Sequence, residues 1–211
     1  MTRILIADDH DVLRTGLRAL IETRPGWEVV AEARDGLEAL RAAEANKPDI
    51  AVLDYAMPVM NGLEVARQLQ ARSRRTEILI FTMHDDDAVL REAVLAGVRG
   101  YLLKSDAQGH LLDAIATLAR HEAYISGQVS GTLLDAVLKP RNLQDGSPLT
   151  VRERTVIQLI AEGRTSREIC PMLNVGIKTV ETHRASAMRK IGAKSTADIV
   201  RYAIRHRMVE I

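Results

Sequence analysis

Cysteine is almost absent from this chain of 211 residues, where Cys170 stands alone. An internal disulfide framework is thereby excluded, and so is any cysteine-rich metal site. Set among apolar residues, Cys170 is expected as a small buried hydrophobe rather than a reactive thiol. Long apolar runs are missing too. None reaches the roughly 18 residues that a bilayer span requires, and the N-terminus carries no signal-peptide pattern. These absences predict a soluble, cytoplasmic protein with no membrane partner. Histidines paired three or four residues apart are also lacking, which argues against a zinc-type site near His10 or His84.

A net excess of charge is missing from the whole but not from its parts. The formal charge is +1, from 29 Lys/Arg and 28 Asp/Glu. Residues 1–120 hold 15 basic and 19 acidic residues, whereas residues 149–211 hold 12 and 6. An acidic front with a basic tail predicts an anion-binding C-terminal domain, with nucleic acid the first candidate; an ordinary solvated surface has the same composition. The apolar content of 46% is ample for a core, and the length suits two small domains or one large one.

Through residue 120, strand and helix signals alternate five times. Strands are predicted at 3–7, 28–33, 50–53, 78–81 and 100–103, and helices at 12–23, 36–46, 62–73, 87–96 and 108–120. Apolar residues at helical spacing (Val12, Leu13, Leu17, Leu20 and Ile21 in the first helix) mark the faces that would pack. Such alternation predicts right-handed βαβ units, hence an α/β fold with a doubly wound, five-stranded parallel sheet. All strand carboxyl ends then share one edge, where open α/β sheets place their chemistry. To that edge the sequence brings Asp8 and Asp9 after strand one, Asp54 after strand three, Thr82 after strand four and Lys104 after strand five. Asp54 alone serves equally well as a loop cap, Thr82 as a strand-end cap and Lys104 as a surface residue. Together they make a different case. Clustered carboxylates repel one another unless a cation lies among them, and their hard oxygens suit Mg²⁺. A lysine and a hydroxyl beside such a cluster are what a transferred phosphoryl group requires, with Asp54 as the nucleophile.

After residue 120 comes an apolar-periodic run at 129–138, closed by Pro140, and then a polar, turn-rich stretch to Pro148. This predicts a linker at 121–145 containing a short helix. The remainder, 146–211, reads as all-helical. Thr150 with Glu153 and Thr165 with Glu168 form capping boxes, while Gly163 and Gly192 stop helices. Val151, Val156, Ile157, Leu159 and Ile160 are expected to face inward. Two helices joined by the Asn174-Val175-Gly176 turn fit a helix-turn-helix, and fit an ordinary helical bundle about as well. The second helix carries Lys178, Thr179, Glu181, Thr182, His183, Arg184, Arg189 and Lys190, cations for phosphates mixed with groups for base edges.

The front residues (Asp8-Asp9, Asp54 with Met57-Pro58 and Asn61-Gly62, Thr82, Tyr101 and Lys104) resemble the receiver domain of bacterial two-component response regulators over about residues 3–120. The tail (Leu149-Thr-x-Arg-Glu, Ala161-Glu-Gly163, Glu168-Ile169 and Lys178-Thr-Val-Glu-Thr-His-Arg184) resembles the LuxR-type output domain of the NarL/FixJ subfamily. The resemblance implies a flavodoxin-like receiver at 1–120 and a LuxR-type helix-turn-helix domain at 146–211. It implies that Asp54 is the phospho-acceptor for a partner histidine kinase. Asp8, Asp9, Asp54 and the backbone carbonyl of Ala56 would hold Mg²⁺, Lys104 would contact the phosphoryl oxygens, and Thr82 with Tyr101 would form the switch pair. It further implies a recognition helix near 178–191 on double-stranded DNA with two-fold related sites, and a last helix, 195–207, that pairs subunits into a homodimer on phosphorylation.

Departures from the family pattern are few. Met83 is bulky where a small residue is common, Ser105 replaces a common Pro, and Ala56 and His84 flank the phosphoryl site where they would tune the acyl-phosphate lifetime. Pro171 falls inside the scaffold helix and Gly176 replaces a hydroxyl N-cap, predicting a slightly loosened motif. A rival class, a Mg²⁺-dependent phosphatase with Asp54 as nucleophile, needs a second carboxylate two residues on. Ala56 stands there, so the chain is expected to be a regulator and no enzyme.

Overall fold

A computed structural model describes residues 1–72, 75–83, 87–126, 149–206 and 208–209. The predicted linker helix and His84 lie outside the described residues. The chain divides into two units.

The N-terminal unit runs β1 (Thr2–Ala7), α1 (Asp11–Ile21), β2 (Trp27–Ala33), α2 (Gly36–Asn46), β3 (Ile50–Asp54), α3 (Gly62–Arg72), β4 (Glu77–Thr82), α4 (Asp87–Leu95), β5 (Gly100–Leu103), α5 (Ala107–Ala119) and β6 (Tyr124–Ile125). Every strand pair is parallel, in the order β2-β1-β3-β4-β5-β6. The sheet therefore has six strands where the sequence predicts five. The extra strand is two residues long, too short to show a pattern. It forms because the chain leaving α5 returns beside β5. There the Tyr124 N–H donates to the Arg99 carbonyl (2.9 Å), the Ser126 N–H to that of Tyr101 (2.9 Å), and the Ser126 hydroxyl accepts from Leu103 N–H (3.0 Å).

β3, β4 and β5 are buried along their whole length, as strands covered on both faces must be. On one face Ile4, Ile6, Val52, Leu79 and Phe81 pack with Leu17 and Ile21 of α1 and Leu111, Ile115 and Leu118 of α5. The alternate residues, among them Leu5, Ala51, Leu53, Ile78 and Ile80, face the other way and are equally buried. α1 corrects the predicted stripe in one respect. Its buried positions are Arg14, Leu17 and Ile21, while Val12 is 88% exposed.

The C-terminal unit comprises α6 (Val151–Ala161), α7 (Ser166–Leu173), α8 (Ile177–Ile191) and α9 (Thr196–Arg205). Both predicted capping boxes are present, and a third joins Ser195 to Asp198 ahead of α9. Gly163 and Gly192 take the left-handed conformation that ends α6 and α8, with Asn174 doing the same after α7. Val156, Ile157, Ile160, Ile169, Val180, Ala187, Ile199 and Ala203 make the core. Val151, expected inside, is 40% exposed because it opens the first turn of α6. Cys170 is half-buried, its thiol donating to the Ser166 carbonyl at 3.1 Å.

α7 continues through Pro171 to Leu173, although the ring removes the bond that residue 171 would donate one turn back. Gly176 caps α8 in extended backbone with no side-chain bond. Replacing Pro171 by Ala should therefore stabilise the C-terminal unit by about 1 kcal/mol, or roughly 4–8 °C in its melting transition by calorimetry of the full chain. No upward shift would show that the helix has no bond to regain.

Glu153 anchors α8 to α6. Its carboxylate accepts from Lys190 Nζ (2.6 Å), the Ser186 hydroxyl (2.7 Å) and the Thr150 N–H (2.7 Å) while the residue is buried. Burial alone would raise its pKa, yet these donors hold it down at about 2 instead of the usual 4.5. A depressed carboxylate stabilises the fold fully above its unfolded value and stops doing so as the pH falls through the folded one. Glu153→Gln should thus cost about 2 kcal/mol at neutral pH, with the gap between variant and parent closing below pH 4.5 toward 2. A pH-independent gap would contradict the linkage.

Candidate functional site

The strand order reverses between β1 and β3, and Asp8 and Asp54 lie at the carboxyl ends of that pair. Both are buried. Lys104, which follows β5, reaches back between them, its Nζ 2.8 Å from Asp8 Oδ2 and 2.8 Å from Asp54 Oδ2. The same ammonium stands 5.8 Å from the centroid of the Phe81 ring. Burial pushes the Asp54 carboxyl up to about 6, and the Asp8 charge adds to the rise; Lys104 and the Ala56 N–H, which donates to Asp54, oppose it. Desolvation works against the Lys104 charge, but its bonds to the two carboxylates outweigh that and raise its pKa.

Asp9 is exposed beside this pair, and one oxygen from each of Asp8, Asp9 and Asp54, with a ring nitrogen of His10, all lie within 4.8 Å of one another. Three carboxylates so placed are a donor set for a hard divalent cation. Thr82 is buried at the end of β4, one residue beyond the Asp54–Phe81 register pair. Tyr101 is buried on β5 opposite Ile80. The structure thus gathers Asp8, Asp9, Asp54 and Lys104 directly, and sets Thr82 and Tyr101 on the neighbouring strands.

Arg14, which the sequence does not single out, and Gly62, marked there only as part of the Asn61-Gly62 pair, complete the scaffold. Arg14, buried on α1, donates from Nη1 to the Asp8 backbone carbonyl (2.7 Å) and is paired with the carboxylate of Asp11. Its signal was a charge on the inward stripe: Arg14, Leu17 and Ile21 fall at i, i+3 and i+7. Gly62 opens α3 with its N–H on the Tyr55 carbonyl (2.9 Å), and a Cβ there would lie 2.1 Å from the Asp54 carbonyl oxygen.

On α8, Lys178, Thr179, Glu181, Thr182 and Arg189 are exposed, while His183 and Arg184 are half-buried. Arg184 Nη2 donates to the Thr196 hydroxyl at 3.1 Å, and the Thr182 hydroxyl bonds back to the Lys178 carbonyl at 2.7 Å. With about 100° of rotation per residue, Lys178, Thr182 and Arg189 share the outward face opposite Val180 and Ala187. Lys190 falls on the flank and is the partner of Glu153.

Comparison with known proteins bears on both sites. The response regulator receiver domain family matches residues 4–116, and the family of bacterial regulatory proteins, luxR family, matches residues 147–203. The chain is a LuxR-type response regulator. The oxygen regulatory protein NreC of Staphylococcus aureus (strain JH9) is 35% identical over 215 residues, 99% of this chain and 99% of its own. Among solved structures, a LuxR-family two-component response regulator from Aurantimonas sp. SI85-9A1 is 38% identical, covering 65% of this chain and 96% of its own with a TM-score of 0.57. The RcsB response regulator of Salmonella typhimurium is 25% identical, covering 97% and 100% with a TM-score of 0.58. No helix among the described residues of this response regulator is long and apolar enough to cross a membrane.

The close approach at Gly62 yields a paired test. Gly62→Ala should destabilise the receiver by about 2 kcal/mol through the clash with the Asp54 backbone. Gly16→Ala, with nothing within 4 Å of the new methyl group, should stabilise it by about 0.5–1 kcal/mol. Denaturant titration of both variants checks the contrast, and equal effects would refute it.

Proposed function

We propose that Asp54 takes a phosphoryl group from a partner histidine kinase and thereby controls DNA binding by the C-terminal domain. The observation that carries this reading is the Lys104 ammonium held at 2.8 Å from both Asp8 and Asp54. A carboxylate oxygen of Asp54 attacks phosphorus, the phosphorus–nitrogen bond to the kinase imidazole breaks, and an acyl phosphate remains. Lys104 neutralises the arriving equatorial oxygens. Asp8, Asp9, Asp54 and the Ala56 carbonyl would hold Mg²⁺, which when bound draws charge from the phosphoryl oxygens. Thr82 and Tyr101 carry the change to the receiver surface as a two-state pair.

At the output, the exposed face of α8 suits the major groove, with Lys178 and Arg189 for phosphates and Thr179, Glu181 and Thr182 for base edges. His183 and Arg184 border that face, and Lys190, engaged by Glu153, positions the helix. α9 pairs two copies over a two-fold DNA site, and the protein works in the cytoplasm. RcsB of Salmonella typhimurium shows conformational dynamism for DNA interaction, in keeping with this reading.

Fluorescence anisotropy on duplex DNA tests it, with a small-molecule phosphodonor and Mg²⁺. Phosphodonor should tighten binding for the parent and leave Asp54→Asn unchanged. Lys178→Ala should weaken binding to all sequences and lower the salt slope by about 1. Identical responses of parent and Asp54→Asn would remove Asp54 from the mechanism.

A further inference from the structure

His10 follows the two acidic residues of the β1–α1 loop and N-caps α1 in extended backbone, with no side-chain bond to the helix. Its imidazole points the other way. Nδ1 lies 3.1 Å from Asp8 Oδ1 and 2.9 Å from Asp9 Oδ1, and the ring is otherwise 69% open to solvent. The backbone N–H of His10 also donates to Asp8 Oδ1, at 2.8 Å, which fixes the loop around that oxygen.

These separations have a geometric meaning. Neighbouring ligands on an octahedral ion, each at about 2.1 Å, lie about 3 Å apart. Nδ1 stands at hydrogen-bonding distance from both oxygens, and the same spacing would put its lone pair at one corner of such a coordination face once an ion displaced the shared proton. Lys104 meanwhile bonds the Oδ2 atoms of Asp8 and Asp54, whereas His10 meets Oδ1 of Asp8 and of Asp9. Because the ring is largely exposed, it can exchange these hydrogen bonds for an ion without disturbing any packed side chain.

We infer that His10 is a fifth protein ligand of the receiver's metal site, replacing one water and biasing the site toward ions that accept nitrogen, Mn²⁺ above Mg²⁺. Mn²⁺, though it also favours oxygen, gives up a water for an imidazole nitrogen more readily than Mg²⁺, which dehydrates reluctantly. The inference rests on the proposed carboxylate metal site and extends it from oxygen donors to a mixed set.

The test uses the full chain with Mn²⁺ as the probe. Electron paramagnetic resonance of the free ion gives the Kd, and pulsed measurement of the bound ion reads coupling to a ligand ¹⁴N. The parent should bind Mn²⁺ with strong ¹⁴N modulation. His10→Ala should lose the modulation and about tenfold in Mn²⁺ affinity, while Mg²⁺ affinity, read by competition, changes by no more than about twofold. Because His10 is exposed, an unchanged melting temperature in the variant separates ligand loss from unfolding. Bound Mn²⁺ without ¹⁴N modulation in the parent would overturn the histidine ligand and leave the carboxylate site standing. No Mn²⁺ binding by the parent would overturn both.

Discussion

The ammonium of Lys104 is the constraint on which the receiver's edge depends. Two carboxylates removed from water at adjacent strand ends cannot both stay charged without a cation between them. Asp8 and Asp54 are such a pair, and Lys104 meets one oxygen of each at the same 2.8 Å. The lysine arrives from β5, two strands away from β3, so it can do this only if the whole parallel order is intact. Sheet topology and site charge are therefore one problem with one solution. Carboxylate oxygens of Asp8 and Asp54 lie with one of Asp9 and a ring nitrogen of His10 within 4.8 Å of one another, a donor set that could hold a divalent ion.

The scaffold beneath that edge is polar as well as apolar. Arg14 sits where a leucine would complete the inward face of α1, and spends its guanidinium on the backbone of Asp8. The C-terminal unit uses the same device. Glu153 occupies a buried position of α6 and fixes α8 through Ser186 and Lys190. In each unit a buried charge on one helix fixes a neighbouring element, a role apolar packing fills less specifically.

Much of this was legible in the sequence for a simple reason. A parallel sheet sends every strand's end to one edge, so chemistry scattered at Asp8, Asp54, Thr82 and Lys104 becomes local once the strands are found. The helices of the tail were legible through their caps, since Thr150–Glu153 and Thr165–Glu168 are short-range signals. What escaped depends on distance or on exceptions. Arg14 escaped because a stripe search counts apolar residues, and it admitted Val12 for the same reason. The bond from Lys190 to Glu153 escaped because its partner lies 37 residues away, beyond any short-range signal. Gly62 shows in the sequence only as half of the Asn61-Gly62 pair, although its missing side chain is what lets α3 begin against the Asp54 backbone.

β6 has a practical bearing on where the receiver ends. Two residues of strand and the Ser126 hydroxyl satisfy the outer edge of β5, at Arg99, Tyr101 and Leu103. A fragment cut at residue 120 would bare those backbone groups along a buried, apolar strand, the kind of open edge that recruits a second chain. A receiver fragment that keeps this edge satisfied extends through Ser126, beyond the last turn of α5.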